Sequence, residues 1–406
     1  MSGNGAGVGL RARVAVFLLG MCALVCAYAT QPVLADIARW ASVPEVEAAW
    51  TVSATTLGIA VTAPFAGAVS DRLGRKRVML AAIAGVLVAT ALCATAASFA
   101  VLLLLRFLEG VGTPFVFAVV VAYIGDEFAP TDAARLNGQS VAGTAFGGFA
   151  GRLLPGFAAD VLPDWRAAFW PLVALLAIAF ATTAAWLPRE RRFVPARSFG
   201  RSLRGTGAHL RDLRILATCL VGAGLLFQQV AMFTFASLHL QGPPFSLTTL
   251  QVGLVFAVML APVLITPQVG RAVARFGRVP TFVAAAAFGL AGVALTLVPT
   301  VWAVVVGLAC SSVAVFSGQA CATGFVGAHA LRNRSAAVGL YLTAYYLGGT
   351  VGGIAPAPLL SGPGWPAVVL LVGGVLVATT AVGAIAWRPQ DALRAPIEHL
   401  PLEPPG

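Results

Sequence analysis

Twelve apolar stretches, each about long enough to cross a lipid bilayer, constrain the fold of this chain more than any other feature. They lie at residues 14–35, 50–70, 78–97, 100–124, 138–159, 167–187, 215–238, 250–269, 281–299, 301–325, 337–359 and 367–387. A transmembrane helix needs about 20 mainly apolar residues. Only 10% of the 406 residues are charged, against about 25% in a soluble domain. The pattern predicts an all-α membrane protein with twelve transmembrane helices, the first of them uncleaved.

The basic residues predict the orientation of these spans. With the N-terminus in the cytoplasm, 22 of the 26 Lys and Arg residues fall in cytoplasmic segments. Arg39 and Arg166 then lie outside, and Arg106 and Arg152 lie within spans. This bias follows the positive-inside rule, so we predict a multi-pass protein of the cell membrane with both termini cytoplasmic. Because the net charge of +11 is spread over short loops, it does not indicate a nucleic-acid partner.

Two internal repeats predict that the chain arose by duplication. Residues 67–77 read GAVSDRLGRKR, and a degenerate copy, GRAVARFGR, begins 203 residues later at Gly270. Residues 147–152 read GGFAGR and have a partner, GGTVGG, at 348–353, an offset of 201. We therefore predict two six-helix bundles, which occupy residues 1–187 and 215–387. A basic cytoplasmic linker (188–214) joins them, and a cytoplasmic tail (388–406) follows.

The Gly-x-x-x-Asp-Arg-x-Gly-Arg-Lys pattern of residues 67–76 resembles the cytoplasmic loop signature of the major facilitator superfamily, between helices 2 and 3. In that family the loop acts as a latch that is closed in one access state. The acidic partners predicted for its basic residues are Asp126 and Glu127, and Asp71 is expected to accept from backbone amides at a neighbouring helix N-terminus. In the second copy Ala274 replaces the acid, so the latch is predicted to be asymmetric between the halves. The alternative is a basic loop that only sets the topology. The predicted latch comprises Gly67, Asp71, Arg72, Gly74, Arg75, Lys76, Arg275, Gly277 and Arg278.

A charged pair inside span 4 is the candidate for proton coupling. Glu109 and Arg106 are three residues apart, so their side chains project from nearly the same helix face. The segment Arg106-Phe107-Leu108-Glu109-Gly110 resembles the Arg-x-x-Gln-Gly signature of proton-coupled drug exporters, with Glu in place of Gln. The resemblance implies that the arginine takes part in proton transfer. The alternative is a permanent structural ion pair.

Polar and aromatic residues within the spans are candidates for the substrate cavity. The stretches Tyr28–Pro32 and Tyr345–Gly349 are similar to the acriflavine-sensitivity branch of the superfamily, in which helices 1, 4, 7 and 10 line the cavity. Each residue could instead form an interhelical hydrogen bond. The predicted cavity residues are Tyr28, Gln31, Arg152, Gln228, Gln229, Gln319, Tyr345 and Tyr346.

These patterns favour a secondary active transporter over the other classes. We expect proton-coupled export of a small amphipathic compound or drug, by a monomer that uses the proton gradient and no cofactor. The alternative is an uptake permease for a sugar or organic acid, and the non-transport alternative is a membrane receptor or enzyme. Because no ATP-binding loop motif is present, ATP hydrolysis by this chain is not expected. The six cysteines form no metal-binding or disulfide pattern.

Overall fold

The computed structural model describes residues 9–188, 190, 209–330 and 334–388, and these residues form twelve long helical segments. The first half of the chain contains α1 (Leu10–Val25), α2 (Trp50–Leu73), α3 (Arg75–Cys93), α4 (Phe99–Gly112, continued by Pro114–Glu127), α5 (Pro130–Val161) and α6 (Trp170–Trp186). The second half contains α7 (Leu213–Gln241), α8 (Thr249–Val255, Phe256–Leu260 and Ala261–Phe276), α9 (Arg278–Leu295), α10 (Val301–His329), α11 (Arg334–Gly352) and α12 (Trp365–Ala386). Short helices cover Gln31–Val33, Leu34–Ala41, Glu45–Ala48, Trp165–Phe169 and Ala357–Ser361.

Most of these segments can cross a membrane by length and composition. Within the described ranges, eight helices meet both criteria, and the bent α8 makes nine. The other three are α1, which has 16 residues before it breaks, α5, which is rich in glycine, and α11. Large apolar side chains such as Val141, Leu264 and Leu370 point outward, with 67%, 76% and 75% of their surface exposed. Such an apolar exterior suits a lipid environment, and the prediction of an all-α membrane protein is confirmed.

Glycine contacts hold equivalent helix pairs together in the two halves. A β-carbon added to Gly147 on α5 would lie 2.3 Å from the carbonyl oxygen of Met21 on α1. The repeat partner, Gly348 on α11, would meet the carbonyl oxygen of Ala223 on α7 at 2.0 Å. Only glycine allows backbones to approach this closely. The duplication therefore places α1 against α5 and α7 against α11 in the same way.

Two predicted spans are not continuous α-helices. The span predicted at 14–35 is helical only to Val25, and residues 26–30 form turns before the chain coils again at Gln31. The span predicted at 250–269 passes through a 3₁₀ segment, Phe256–Leu260. An apolar run cannot reveal such breaks, because they depend on partners for the released backbone groups. Most of the predicted linker and all of the predicted tail beyond Arg388 lie outside the described residues, and the bundle limits stay predictions.

The two ends of the molecule differ in the elements that they carry. The turn end carries the α2–α3 turn at Gly74 and the α8–α9 turn at Gly277. The far end carries the short helix Gln31–Val33 and the end of α7 at Gln241. Both turns have positive φ, 96° at Gly74 and 88° at Gly277. The same turn geometry therefore recurs in each half at the positions that the repeat predicted.

Candidate functional site

The broken segment of α1 leaves two backbone carbonyls for another helix to bind. Because the chain leaves the α-helix after Val25, the carbonyl oxygens of Cys26 and Ala27 accept no α-helical hydrogen bond, and that of Cys26 accepts only a turn bond from the amide of Ala29 within the backbone. Nη2 of Arg106 on α4 donates to both, at 2.7 Å and 3.1 Å. Nε of Arg106 donates to the carbonyl oxygen of Thr51 on α2 at 3.3 Å. One guanidinium group therefore joins α4, α2 and the break in α1.

Glu109 completes this buried polar cluster. One carboxylate oxygen accepts from Nη1 of Arg106, and the other accepts from the hydroxyl of Thr90 on α3 at 2.6 Å. Neither Arg106 nor Glu109 has any exposed surface. The predicted pairing of Arg106 with Glu109 is thus present, and every nitrogen of the guanidinium group is in use. Thr90 was missed in the sequence because it is a single hydroxyl within an apolar run.

A second buried guanidinium group, that of Arg152 on α5, lies beside the same α1 break. Its Nε donates to the side-chain oxygen of Gln31 at 2.6 Å, and its Nη1 donates to the carbonyl of Gly148. Aromatic rings surround it, with centroids 4.5 Å away for Tyr28, 5.8 Å for Phe233 and 5.5 Å for Phe256. These distances are within range of cation–π attraction. Three residues of the predicted cavity, Tyr28, Gln31 and Arg152, therefore meet at one place.

Gln31 also joins the two halves. Its amide nitrogen donates to the hydroxyl of Thr234 on α7 at 2.8 Å, and the hydroxyl of Ser237 donates to its backbone carbonyl. Gln31 and Thr234 are 203 residues apart, which is the offset of the first sequence repeat. The bond therefore connects two positions that the repeat makes equivalent, one in the short helix Gln31–Val33 and one in α7. We did not predict Thr234 from the sequence, although the repeat offset could have pointed to it, and nothing in the sequence singled out Phe233 or Phe256.

The remaining predicted cavity residues lie in the second half. Gln228 donates to Ser311 on α10 at 3.0 Å, and the side-chain oxygen of Gln228 has no hydrogen-bond partner among the described residues. Gln229 contacts the sulfur of Met259 on α8. On α11, the rings of Tyr345 and Tyr346 pack edge to face with centroids 5.4 Å apart. Gln319 lies half-buried on α10, and the described contacts do not link it to Arg152.

Charged groups hold the first turn against its neighbours. Arg75 pairs with Asp71 at 3.2 Å and with Asp126 at the end of α4 at 2.6 Å. Asp126 was one of the two acids predicted for this role. The ammonium of Lys76 donates to the carbonyl oxygens of Ala184 and Leu187, at 2.9 Å and 2.6 Å. The turn is therefore fastened to α4 and to the end of α6, all within the first half.

The acid at the start of α3 differs from the sequence prediction. We expected the Asp71 carboxylate to accept from backbone amides at a helix N-terminus, but Glu190, after α6, accepts from the backbone amide of Lys76. A carboxylate is favoured there by the helix dipole. Asp71 lies near the end of α2, just before α3 begins, and its carboxylate pairs with Arg75 instead. Arg72 is exposed.

The predicted second latch is built differently from the first. Arg275 lies over the ring of Phe276 at 5.1 Å, and Arg278 lies over the ring of Phe325 at 5.2 Å. The first turn instead relies on carboxylates, which reach Arg75 from two places. The predicted asymmetry between the two turns is therefore visible in their contacts, since Ala274 leaves the second turn without the acid that Asp71 supplies to the first.

Side-chain hydrogen bonds that join the two halves, some of them to backbone carbonyls, lie at the far end. Thr56 and Ser53 on α2 bond to Thr350 on α11, each at 3.0 Å, and Gln241 donates to the carbonyl of Pro32 at 2.6 Å. The two bonds of Gln31 and a bond from Thr249 to Asp160 at 3.3 Å join the halves at the same end. Nearer the turn end, a β-carbon on Gly67 would meet no described atom within 4 Å. The far end is therefore closed in this conformation.

No metal site accompanies these clusters in the described part of the chain, where no group of three or more His, Cys, Asp or Glu side chains could hold an ion. The site is instead a pair of buried arginines at the junction of two helical halves. A fold of twelve membrane helices with polar groups at the interface of the repeats defines the class of membrane carriers known as secondary transporters.

Comparison with known proteins supports this class. The sequence model of the Major Facilitator Superfamily matches residues 16–259 and 244–401, and the chain belongs to this superfamily. It is 30% identical over 370 residues to the uncharacterized MFS-type transporter YybF of Bacillus subtilis, covering 89% of this chain and 90% of that protein. It is 28% identical over 383 residues to the inner membrane transport protein YnfM of Escherichia coli, covering 93% and 91%.

Solved structures share the fold. The human organic anion transporter MFSD10 superposes with a TM-score of 0.69 at 20% identity, over 92% of this chain and 98% of that one. A mutant form of the nucleoside transporter NupG superposes with a TM-score of 0.73 at 15% identity, over 93% and 100%. At these identities the likeness concerns the fold alone. Membership of the Major Facilitator Superfamily and the transporter relatives make the protein a multi-pass membrane transporter rather than an enzyme, as the sequence predicted.

Proposed function

We propose that this transporter exports a small amphipathic compound in exchange for protons, with Glu109 as the proton carrier. One observation carries the proposal: Glu109 is a fully buried carboxylate whose partner, Arg106, also holds the broken segment of α1. A buried ionisable group within a transmembrane bundle commonly marks a proton or substrate path. The proposal includes the orientation predicted above, with both termini in the cytoplasm, and a monomer in the cell membrane.

Protonation of Glu109 would leave the cluster of Arg106 and Glu109 with a net positive charge. A proton removes the negative charge that faces Arg106, and a buried guanidinium left without a counter-ion is unfavourable by several kcal/mol. The protonated protein is then expected to favour an arrangement in which Arg106 finds water or another acceptor. Only such a difference between conformations allows proton binding to shift their populations.

The contacts of Arg106 link the proton to the interface between the halves. Arg106 holds the carbonyls of Cys26 and Ala27, and Gln31, a few residues further on, bonds to Thr234 of the second half. If Arg106 no longer bound the carbonyls of the α1 break, the nearby hydrogen bond from Gln31 to Thr234, which helps to close the far end, would be weakened. Through these contacts, the protonation state of Glu109 would shift the equilibrium between the access states.

A Glu109→Gln variant tests this role. A transported compound is first found by comparing the susceptibility of cells with and without the gene. In proteoliposomes under an imposed pH gradient, we expect Glu109→Gln to lose uphill transport of that compound but to retain exchange without a gradient. Glu45→Gln, an exposed acid at the far end, serves as the matched control. Uphill transport at the wild-type rate by Glu109→Gln would exclude this carrier and direct attention to Asp36 or Asp160.

Uptake of an organic acid is the second candidate function. The observation that favours it is Arg152, a buried cation that pairs with no carboxylate among the described residues. The direction of pH-driven tracer movement in right-side-out and inverted vesicles separates the two functions. An exporter accumulates the compound in inverted vesicles, whereas an uptake permease accumulates it in right-side-out vesicles.

A further inference from the structure

The two fully buried guanidinium groups of the described residues have different charge partners. Arg106 is matched by the carboxylate of Glu109 in the same helix. Arg152 is 1% exposed, yet its described hydrogen bonds go to the neutral side chain of Gln31 and to the carbonyl of Gly148. Arginine keeps its charge in proteins. The protein therefore carries a buried positive charge that its own described side chains do not neutralise.

One nitrogen of the Arg152 guanidinium group has no hydrogen-bond partner among the described residues. Its bonds use Nε and Nη1, and among the described residues Nη2 donates no hydrogen bond. The nearest acid on its own helix, Asp160, lies two turns further along, is exposed, and accepts from Thr249. A buried polar group normally has a partner. The free nitrogen is therefore available to donate a hydrogen bond to a partner from outside the chain.

The rings around Arg152 come from both halves. Tyr28 belongs to the α1 break, whereas Phe233 lies on α7 and Phe256 on the 3₁₀ segment of α8. A compound bound at Arg152 would therefore touch elements that separate when the far end opens. A substrate that contacts both halves binds the two access states with different affinities, and it can therefore shift the equilibrium between them.

We propose that the transported compound is an organic monoanion, whose charged oxygens bind Nη2 of Arg152 and whose apolar body lies against Tyr28, Phe233 and Phe256. The proposal rests on the transport function proposed above and names its substrate class. A cationic compound is disfavoured at this place, because Arg152 would repel it. A neutral compound would leave the buried charge as it is and gain no charge-assisted hydrogen bond.

Three probes that share one apolar body test the charge preference. Binding of 2-naphthoate, 2-naphthamide and (2-naphthyl)methylammonium is measured by thermal shift and by titration on the purified full-length protein, without a pH gradient. A hydrogen bond to a charged group contributes enough for about a tenfold or larger difference in affinity. We expect naphthoate to bind at least about tenfold more tightly than the amide or the ammonium compound.

Variants of Arg152 assign the preference to this side chain. Arg152→Gln is expected to weaken naphthoate binding about tenfold or more and to leave amide binding nearly unchanged, and Arg152→Lys is expected to lie between. Arg166→Gln is the control, because Arg166 also stacks on an aromatic ring, Trp40, but lies at the far end beside Asp164. Removal of an unpaired buried charge should not lower the melting temperature without ligand.

The outcomes separate this proposal from proton coupling. Absence of naphthoate binding, equal binding of the amide or ammonium compound, or wild-type naphthoate binding by Arg152→Gln overturns the anion site. Because binding is measured without a gradient, tighter binding of naphthoate that depends on Arg152 supports the anion site even if Glu109→Gln transports normally. Conversely, pH-driven transport confined to cationic compounds supports proton coupling and overturns the anion site.

Discussion

The two buried arginines show how single residues make the halves unequal. The second repeat offset, 201 residues, places Gly353 opposite Arg152, and a β-carbon on Gly353 would lie 2.2 Å from the hydroxyl of Ser53. At this position, the second half has a glycine that allows close packing, whereas the first half has a charged arginine. In the same way, the neutral Gln228–Ser311 bond joins α7 to α10, whereas Arg106 joins α1 to α4. The charged groups of the proposed chemistry therefore belong to the first half, whereas two of the rings around Arg152 come from the second half.

The two glycines of the first turn make a matched prediction at the scale of residues. Gly74→Ala should lower the melting temperature, at a cost of about 1–3 kcal/mol, because φ is 96° and Glu190 lies 3.0 Å from the added carbon. Gly67→Ala should leave stability unchanged or slightly raise it, since Gly67 is helical and meets open space. Melting of both purified variants checks this. Equal melting of the two would show that the turn adjusts freely.

At the scale of elements, interruptions of the helices create the binding groups. The break after Val25 frees the carbonyls that Arg106 binds, and the 3₁₀ segment of α8 brings Phe256 to Arg152. Between the breaks, glycines hold α1 close to α5, so that Gly151 would touch the carbonyl of Val25 at 2.0 Å if it carried a β-carbon. The close packing of this helix pair therefore positions both arginine sites.

A glycine substitution on α5 tests the importance of this close packing. Gly147→Ala should destabilise the protein by about 1–3 kcal/mol and reduce transport, because the added methyl group would overlap the backbone of Met21. Gly138→Ala on the same helix meets no described atom within 4 Å and should behave as wild type. Melting temperature and transport rate are measured for both. Similar results for the two variants would mean that α1 and α5 can move apart without loss.

At the scale of the whole molecule, the closed far end makes this conformation one of two expected access states. Thr56 and Thr350 connect the halves there through their hydroxyl groups. Alternating access requires such contacts to break while the turn end closes, as in other transporters built from repeats. The ion pairs of Arg75 with Asp71 and Asp126 lie within the first half, and a clamp between the halves is expected in the other state.

A cross-link tests whether the far end must open. The double variant Thr56→Cys/Thr350→Cys, oxidised in the membrane, should stop transport, and reduction should restore it, because the disulfide holds the two halves together. Asp212→Cys/His329→Cys joins contacting residues within the second half and should leave transport largely intact. Full transport by the oxidised Thr56/Thr350 variant, with the cross-link verified on a gel, would contradict alternating access at this place.

The orientation of the whole molecule is tested separately by labelling. On a background without cysteine, Arg77→Cys in the first turn should resist an impermeant maleimide in intact cells and react after the membrane is opened. Pro163→Cys, between α5 and the short helix Trp165–Phe169 at the far end, should react in intact cells. The reverse pattern would place the basic loops outside.

The sequence alone determined the features that depend on neighbouring residues. Spans follow from the length of apolar runs, the turns at Gly74 and Gly277 follow from glycine, and the pairing of Arg106 with Glu109 follows from helix periodicity. The repeat offset of 203 residues also relates Gln31 to Thr234, a relation that we did not predict from the sequence. These features need only local geometry or a count along the chain.

Only the tertiary structure decided which distant groups meet. The break in α1 exists because Arg106 lies where it can satisfy the released backbone, and no composition rule locates such a partner. Glu190, rather than Asp71, binds the amide at the start of α3 because the segment that follows α6 reaches it. Phe233 and Phe256 were ordinary apolar residues in the sequence, and they became part of the Arg152 site only because α7 and α8 bring their rings close to Arg152.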